Sequence, residues 1–160
     1  MTPSERLAEL KITLPPVTAP IGSYIPGIRT GRFVLVSGQL PFQDGKLTAV
    51  GRVPGDVPLE QARLAARQSG LNALAIAAHT AGGIDRIARV VRLGVFVNSG
   101  PGFVDQPAVA NGASDLMVEI FGEAGRHVRA AVGANELPRN AAVEVEMMVE
   151  LKADGGETGD

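Results

Sequence analysis

The residues whose types and spacing suggest chemistry are Arg129 and the carboxylates Glu144, Glu146 and Glu150. Side chains alternate between the two faces of an extended strand, so His127, Arg129 and Ala131 share one face. By the same rule the three glutamates share one face of the next strand. If the two strands pair as a hairpin, an arginine faces a row of carboxylates. A guanidinium can grip a substrate carboxylate with two hydrogen bonds, and a neighbouring carboxylate can move protons. The simpler reading is a solvated sheet face whose exposed ion pairs contribute ~0 to 1 kcal/mol each. Tyr24, the only tyrosine, stands at a glycine-containing entry to an early strand, and Asn111 lies in the first turns of a helix. Their ordinary roles are an aromatic at a sheet edge and a solvent-facing helix residue. Neither His79 nor His127 belongs to an HxxxH or HxxE cluster, and cysteine is absent. No metal centre, thiolate chemistry or disulfide is expected. Ser37 lacks a Gly-x-Ser-x-Gly setting, which argues against a serine hydrolase.

The elements that must hold these residues are legible in the pattern. Thr2-Pro3-Ser4-Glu5 is a capping box with proline at the first helical position, and predicts a short helix. The prolines from Leu14 to Pro20 end it in a linker. Ser23–Ile28 and Phe33–Gln39, around Thr30-Gly31, predict a hairpin. A turn at Gln43-Asp44-Gly45-Lys46 predicts an extension of it into an antiparallel meander. Pro58–Ala81 predicts a long helix with a small-residue stripe at Ala62, Ala66, Gly70, Ala73 and Ala77 beside a stripe of Leu64, Leu71, Leu74 and Ala78. Ile87–Val97, unalternating in its second half, predicts a strand covered on both faces. A second helix runs from Pro107 to about Glu123 and closes at Gly125, and strands at 127–134 and 141–151 follow. This order predicts an α/β (α+β) domain, with an antiparallel or mixed sheet carrying two helices on one face. The expected organisation is a helix and proline linker over 1–18, a folded domain over 19–152 and a disordered tail over 153–160.

With 160 residues, 45% of them apolar and 20% charged, the chain suits one globular domain. Fifteen basic against 17 acidic residues, with no two basic residues adjacent, argue against a nucleic-acid partner. No apolar stretch of membrane-spanning length and no signal-peptide pattern occurs, so a cytoplasmic protein without a membrane partner is expected.

Four pieces in order carry a resemblance: Ala19-Pro20-Ile21-Gly22-Ser23-Tyr24, Val36-Ser37-Gly38-Gln39-Leu40-Pro41, Arg129-Ala130-Ala131-Val132 with Glu136-Leu137-Pro138, and Val143-Glu144-Val145-Glu146. Together they resemble the RidA/YjgF group of reactive-intermediate deaminases, also labelled L-PSP endoribonuclease-like. The resemblance implies a chorismate-mutase-like (bacillus-type) fold and a homotrimer with clefts between subunits. It implies hydrolysis of 2-imino or enamine acids to 2-keto acids and ammonia without a cofactor. Arg129 would bind the carboxylate of this small metabolite, Glu144 would handle water, and Tyr24 and Asn111 would line the substrate. A non-catalytic metabolite-binding trimer using the same cleft is the alternative, and ribonuclease activity a third. Ala130 and Ala131 stand where the deaminases commonly have a hydroxyl or thiol residue and a cysteine, and Pro26 where they commonly have glutamine.

Overall fold

A computed structural model of the protein describes residues 1–18 and 22–154. Ala19-Pro20-Ile21, at the start of the first resembling piece, and most of the expected tail, 155–160, lie outside the described residues.

Thr2 caps helix α1 (Pro3–Leu10) as its sequence predicts, its amide donating to Glu5 at 2.7 Å. Ser4 ties this helix to the body by donating its hydroxyl and amide to Asp85 at 2.6 and 2.9 Å. Strand β1 (Gly27–Thr30) begins later than Ser23, where a strand was expected. Pro26 lacks an amide for a ladder and offers only its carbonyl, which accepts from the Ser37 amide at 2.8 Å. Gly31, at φ +57°, turns the chain into β2 (Phe33–Gln39). The expected meander is not formed. Strands β3 (Phe42–Gln43) and β4 (Lys46–Leu47) make a separate hairpin around Asp44 and Gly45, fastened to the long helix by Asn72, whose amide donates to the Leu40 and Phe42 carbonyls.

Helix α2 (Leu59–Ala81) buries its whole small-residue stripe. A β-carbon on Gly70 would stand 3.1 Å from Cβ of Ala113 in α3 (Gln106–Phe121), so the stripe admits a second helix as well as the sheet. Leu64, expected on the buried face, is 66% exposed, since nothing among the described residues covers it. Helix α3 stops at Phe121, just short of the expected Glu123, because Gly122 (φ +61°) breaks it and a 3-10 turn follows to Gly125.

The main sheet has the order β1-β2-β7-β5-β6, with β5 (Ile87–Asn98) parallel to β6 (Val128–Ala134) and antiparallel to β7 (Val143–Leu151). The hairpin of the last two strands is therefore overturned: β5 lies between them. Their connection crosses the end of β5, where the Asn98 amide nitrogen of the main chain donates to the Ala142 carbonyl at 2.9 Å. The Asn98 side chain donates to the Ala141 carbonyl at 3.1 Å and to Asn140 Oδ1 at 3.0 Å. Helices α2 and α3 cover one face over Leu74, Leu93, Val95, Leu116, Met117 and Val149. The other face is open and keeps Ile28, Phe33, Leu35, Val128 and Val132 exposed.

Candidate functional site

Strand register decides which side of the sheet each candidate residue takes. Arg129 lies level with Leu93 of β5 and, through it, Met147 of β7. Neighbours across a sheet point the same way, and both of these are buried under the helices, so Arg129 points to the helix side at the β6 edge. There its Nη1 donates to Asn111 Oδ1 at 2.8 Å and to Ser114 Oγ at 3.0 Å. Asn111 and Ser114 stand three apart on α3, and therefore on one helix face. Ser114 escaped the sequence reading, although this spacing from Asn111 was there to find it.

The chain of contacts continues. Ser114 Oγ is 2.9 Å from Nε2 of His127, and Nδ1 of the same ring is 2.7 Å from the Gly125 carbonyl oxygen. A carbonyl only accepts, so Nδ1 carries the proton and Nε2 accepts from the Ser114 hydroxyl. Burial pushes the His127 ring below its ordinary value, the Arg129 charge acts in the same direction, and the bond to Gly125 opposes them.

Glu144 lies level with Phe96, on the opposite, open face. A β-carbon on Gly38 would run into its carboxylate, so the irregularity of β2 between Val36 and Gln39 makes the space it fills. Burial raises the Glu144 carboxyl above its ordinary value of 4.5, and neighbouring Glu146 raises it further. Strand alternation could not rank the three glutamates, but their partners do. Glu146 is bound by Arg92 at 2.8 Å and Glu150 by Arg32 at 3.1 Å. Glu144 has no cationic partner among the described residues. Tyr24 is 59% exposed on the stretch leading to Pro26 beside Ser37, on the β2 side of the sheet.

The four residues singled out in the sequence thus fall into two half-sites. Arg129 and Asn111 meet on the helix side at the β6 edge. Glu144 occupies the open face two strand spacings away, about 10 Å across the sheet. Tyr24 lies beyond β7 on the side of β1 and β2. Within one protomer the arginine and the glutamate cannot hold the same small molecule. No group of three or more histidine or acidic residues able to hold a metal ion occurs among the described residues. Nor, among them, is any helix long and apolar enough to cross a membrane.

Comparison with known proteins agrees with this fold. Residues 4–151 match a family model described as "YjgF/chorismate mutase-like, putative endoribonuclease". Protein TCP17 of Trypanosoma cruzi is 44% identical over 146 residues, covering 91% of each chain. A 2-iminobutanoate/2-iminopropanoate deaminase of Dermatophagoides farinae is 29% identical over 141 residues, 88% of this chain and 95% of that protein. A crystal structure from Shewanella oneidensis, described as a "putative endoribonuclease", superposes with a TM-score of 0.90 at 36% identity, covering 94% of this chain and all of that one.

Proposed function

The chain belongs to the YjgF/chorismate-mutase-like family, and from that premise we propose that it is a cofactor-independent deaminase, hydrolysing 2-imino or enamine acids to 2-keto acids and ammonia. The observation that carries this reading is the pair of complementary, unneutralised half-sites. Among the described residues Arg129 is held by neutral partners only, and Glu144 is a half-buried carboxylate without a cation. A guanidinium so placed binds a planar acid, and a carboxyl held above its ordinary pKa both takes and returns protons.

Water adds to the C=N carbon, its proton passing to Glu144 and on to the nitrogen. The carbinolamine then collapses to the ketone and releases ammonia. Because Arg129 and Glu144 take opposite faces of one sheet, a complete site needs Arg129 from one copy and Glu144 from a second. The exposed apolar residues of the open face supply a surface for that association. A homotrimer with three such clefts is the assembly we propose; the distant relative, a 2-imino acid deaminase, supports the chemistry.

The test is release of keto acid from imines generated in situ by an amino-acid oxidase. Acceleration by the wild-type protein and none by Arg129→Ala is the expected result. Binding of 2-keto acids without any acceleration would reduce the site to a metabolite-binding cleft.

A further inference from the structure

Among the described residues the hydrogen bonds of Arg129 all fall on one of its nitrogens. Nη1 carries two hydrogens, and the acceptors at 2.8 and 3.0 Å, Asn111 Oδ1 and Ser114 Oγ, take both. A carboxylate approaching the end of the fork would need one of them. The remaining bidentate edge is formed by Nε and Nη2, for which no protein acceptor occurs among the described residues.

We propose that Ser114 and His127 are positioning residues: Ser114, oriented by His127, occupies Nη1 of Arg129 together with Asn111, and so presents the Nε–Nη2 edge to a ligand carboxylate. The inference rests on the reading of Arg129 as the carboxylate anchor and adds the device that aims it. Its direction is set by hydrogen-bond bookkeeping. The Gly125 carbonyl holds the imidazole proton on Nδ1, leaving Nε2 as an acceptor. The Ser114 hydroxyl must therefore point its hydrogen at His127, which turns its oxygen lone pairs toward Arg129. Without the imidazole the hydroxyl is free to rotate, and Nη1 is no longer offered a fixed acceptor.

The same atoms match a serine–histidine nucleophile pair, but the surroundings do not suit acyl transfer. Ser114 lies in the interior of α3, where backbone amides are committed to the helix and none is free to stabilise an oxyanion.

Calorimetry with 2-oxobutyrate as the probe tests the relay in the wild-type protein and in Ser114→Ala, His127→Asn, His127→Gln and Arg129→Ala. Arg129→Ala should abolish binding. Loss of one orienting hydrogen bond should weaken binding about threefold to tenfold in Ser114→Ala and His127→Asn. Glutamine can offer its carbonyl near the position of Nε2, so His127→Gln should stay within about twofold of wild type. Long-range nitrogen NMR of His127 at neutral pH should show the proton on Nδ1, and a crystal structure with the probe should place its carboxylate on Nε and Nη2. If the wild-type protein does not bind 2-oxobutyrate, the anchor reading falls and the relay with it. If it binds, and Ser114→Ala and His127→Asn match it, or the His127 proton resides on Nε2, the relay alone is overturned.

Discussion

At the scale of single residues, the three glutamates of β7 differ only in their neighbours. Arg92 and Arg32 pair with Glu146 and Glu150, while burial and the nearby Glu146 charge hold the Glu144 pKa above its ordinary value. A general acid or base contributes ~10² to 10⁴-fold, so Glu144→Gln should lower deaminase turnover by at least ~10²-fold. Glu146→Gln and Glu150→Gln should leave it nearly unchanged. Equal small losses in all three would return the row to a solvated sheet face. Stability should move the other way. A carboxyl whose folded pKa exceeds its unfolded value binds its proton more tightly in the folded state, so stability falls as pH rises from about 4.5 through the folded pKa. Glu144→Gln should therefore melt higher than wild type at pH 7 and lose that advantage when the pH is lowered to about 4.5. Melting curves at the two pH values decide it, and a variant less stable at pH 7 would contradict the burial argument.

At the scale of elements, two glycines hold the half-sites in shape. A β-carbon at Gly38 would run into the Glu144 carboxylate. Gly38→Ala should displace that group and cut turnover by up to about 10²-fold, with 2-keto acid affinity at the Arg129 side retained. A steady-state comparison of kcat with probe affinity separates the two effects. Gly112 stands where α3 touches the backbone carbonyl of Arg63 in α2, and any β-carbon there would overlap it. Gly112→Ala should force the helices apart, costing about 1–3 kcal/mol in urea unfolding. It should also weaken probe binding, because neighbouring Asn111 and Ser114 move with the helix. Wild-type stability in this variant would show that the interhelical contact can relax freely.

At the scale of the whole molecule, the opposed faces of Arg129 and Glu144 would make assembly part of the chemistry under the proposed deaminase reading. Native mass spectrometry should show a trimer at micromolar concentration. If each site takes Arg129 from one subunit and Glu144 from another, mixing inactive variants should restore function. A random 1:1 assembly of Arg129→Ala with Glu144→Gln leaves about one site in four intact, because each residue comes independently from one of two subunit types. Activity near a quarter of wild type is the expected outcome after the two are unfolded and refolded together. None at all would place both residues of a site in one subunit, against the register of the sheet.

By itself the sequence determined the local elements and the candidate residues. The capping box of α1, the extent of α2, the strand Phe33–Gln39 and the turn at Asp44-Gly45 follow from nearest-neighbour chemistry, which is written in adjacent residues. Four motif pieces also carried the family, which the match over residues 4–151 bears out, and the order of elements favoured an antiparallel or mixed sheet, of which the strand pairing shows the mixed one. Only the tertiary structure decided that β5 separates β6 from β7. That depends on a connection crossing a strand end and fastening to Asn98, a contact between residues far apart in the chain. It likewise separated Glu144 from its two neighbours on the strand. Alternation assigns a face, but partners such as Arg92 and Arg32 arrive from other strands, and no spacing along one segment encodes them.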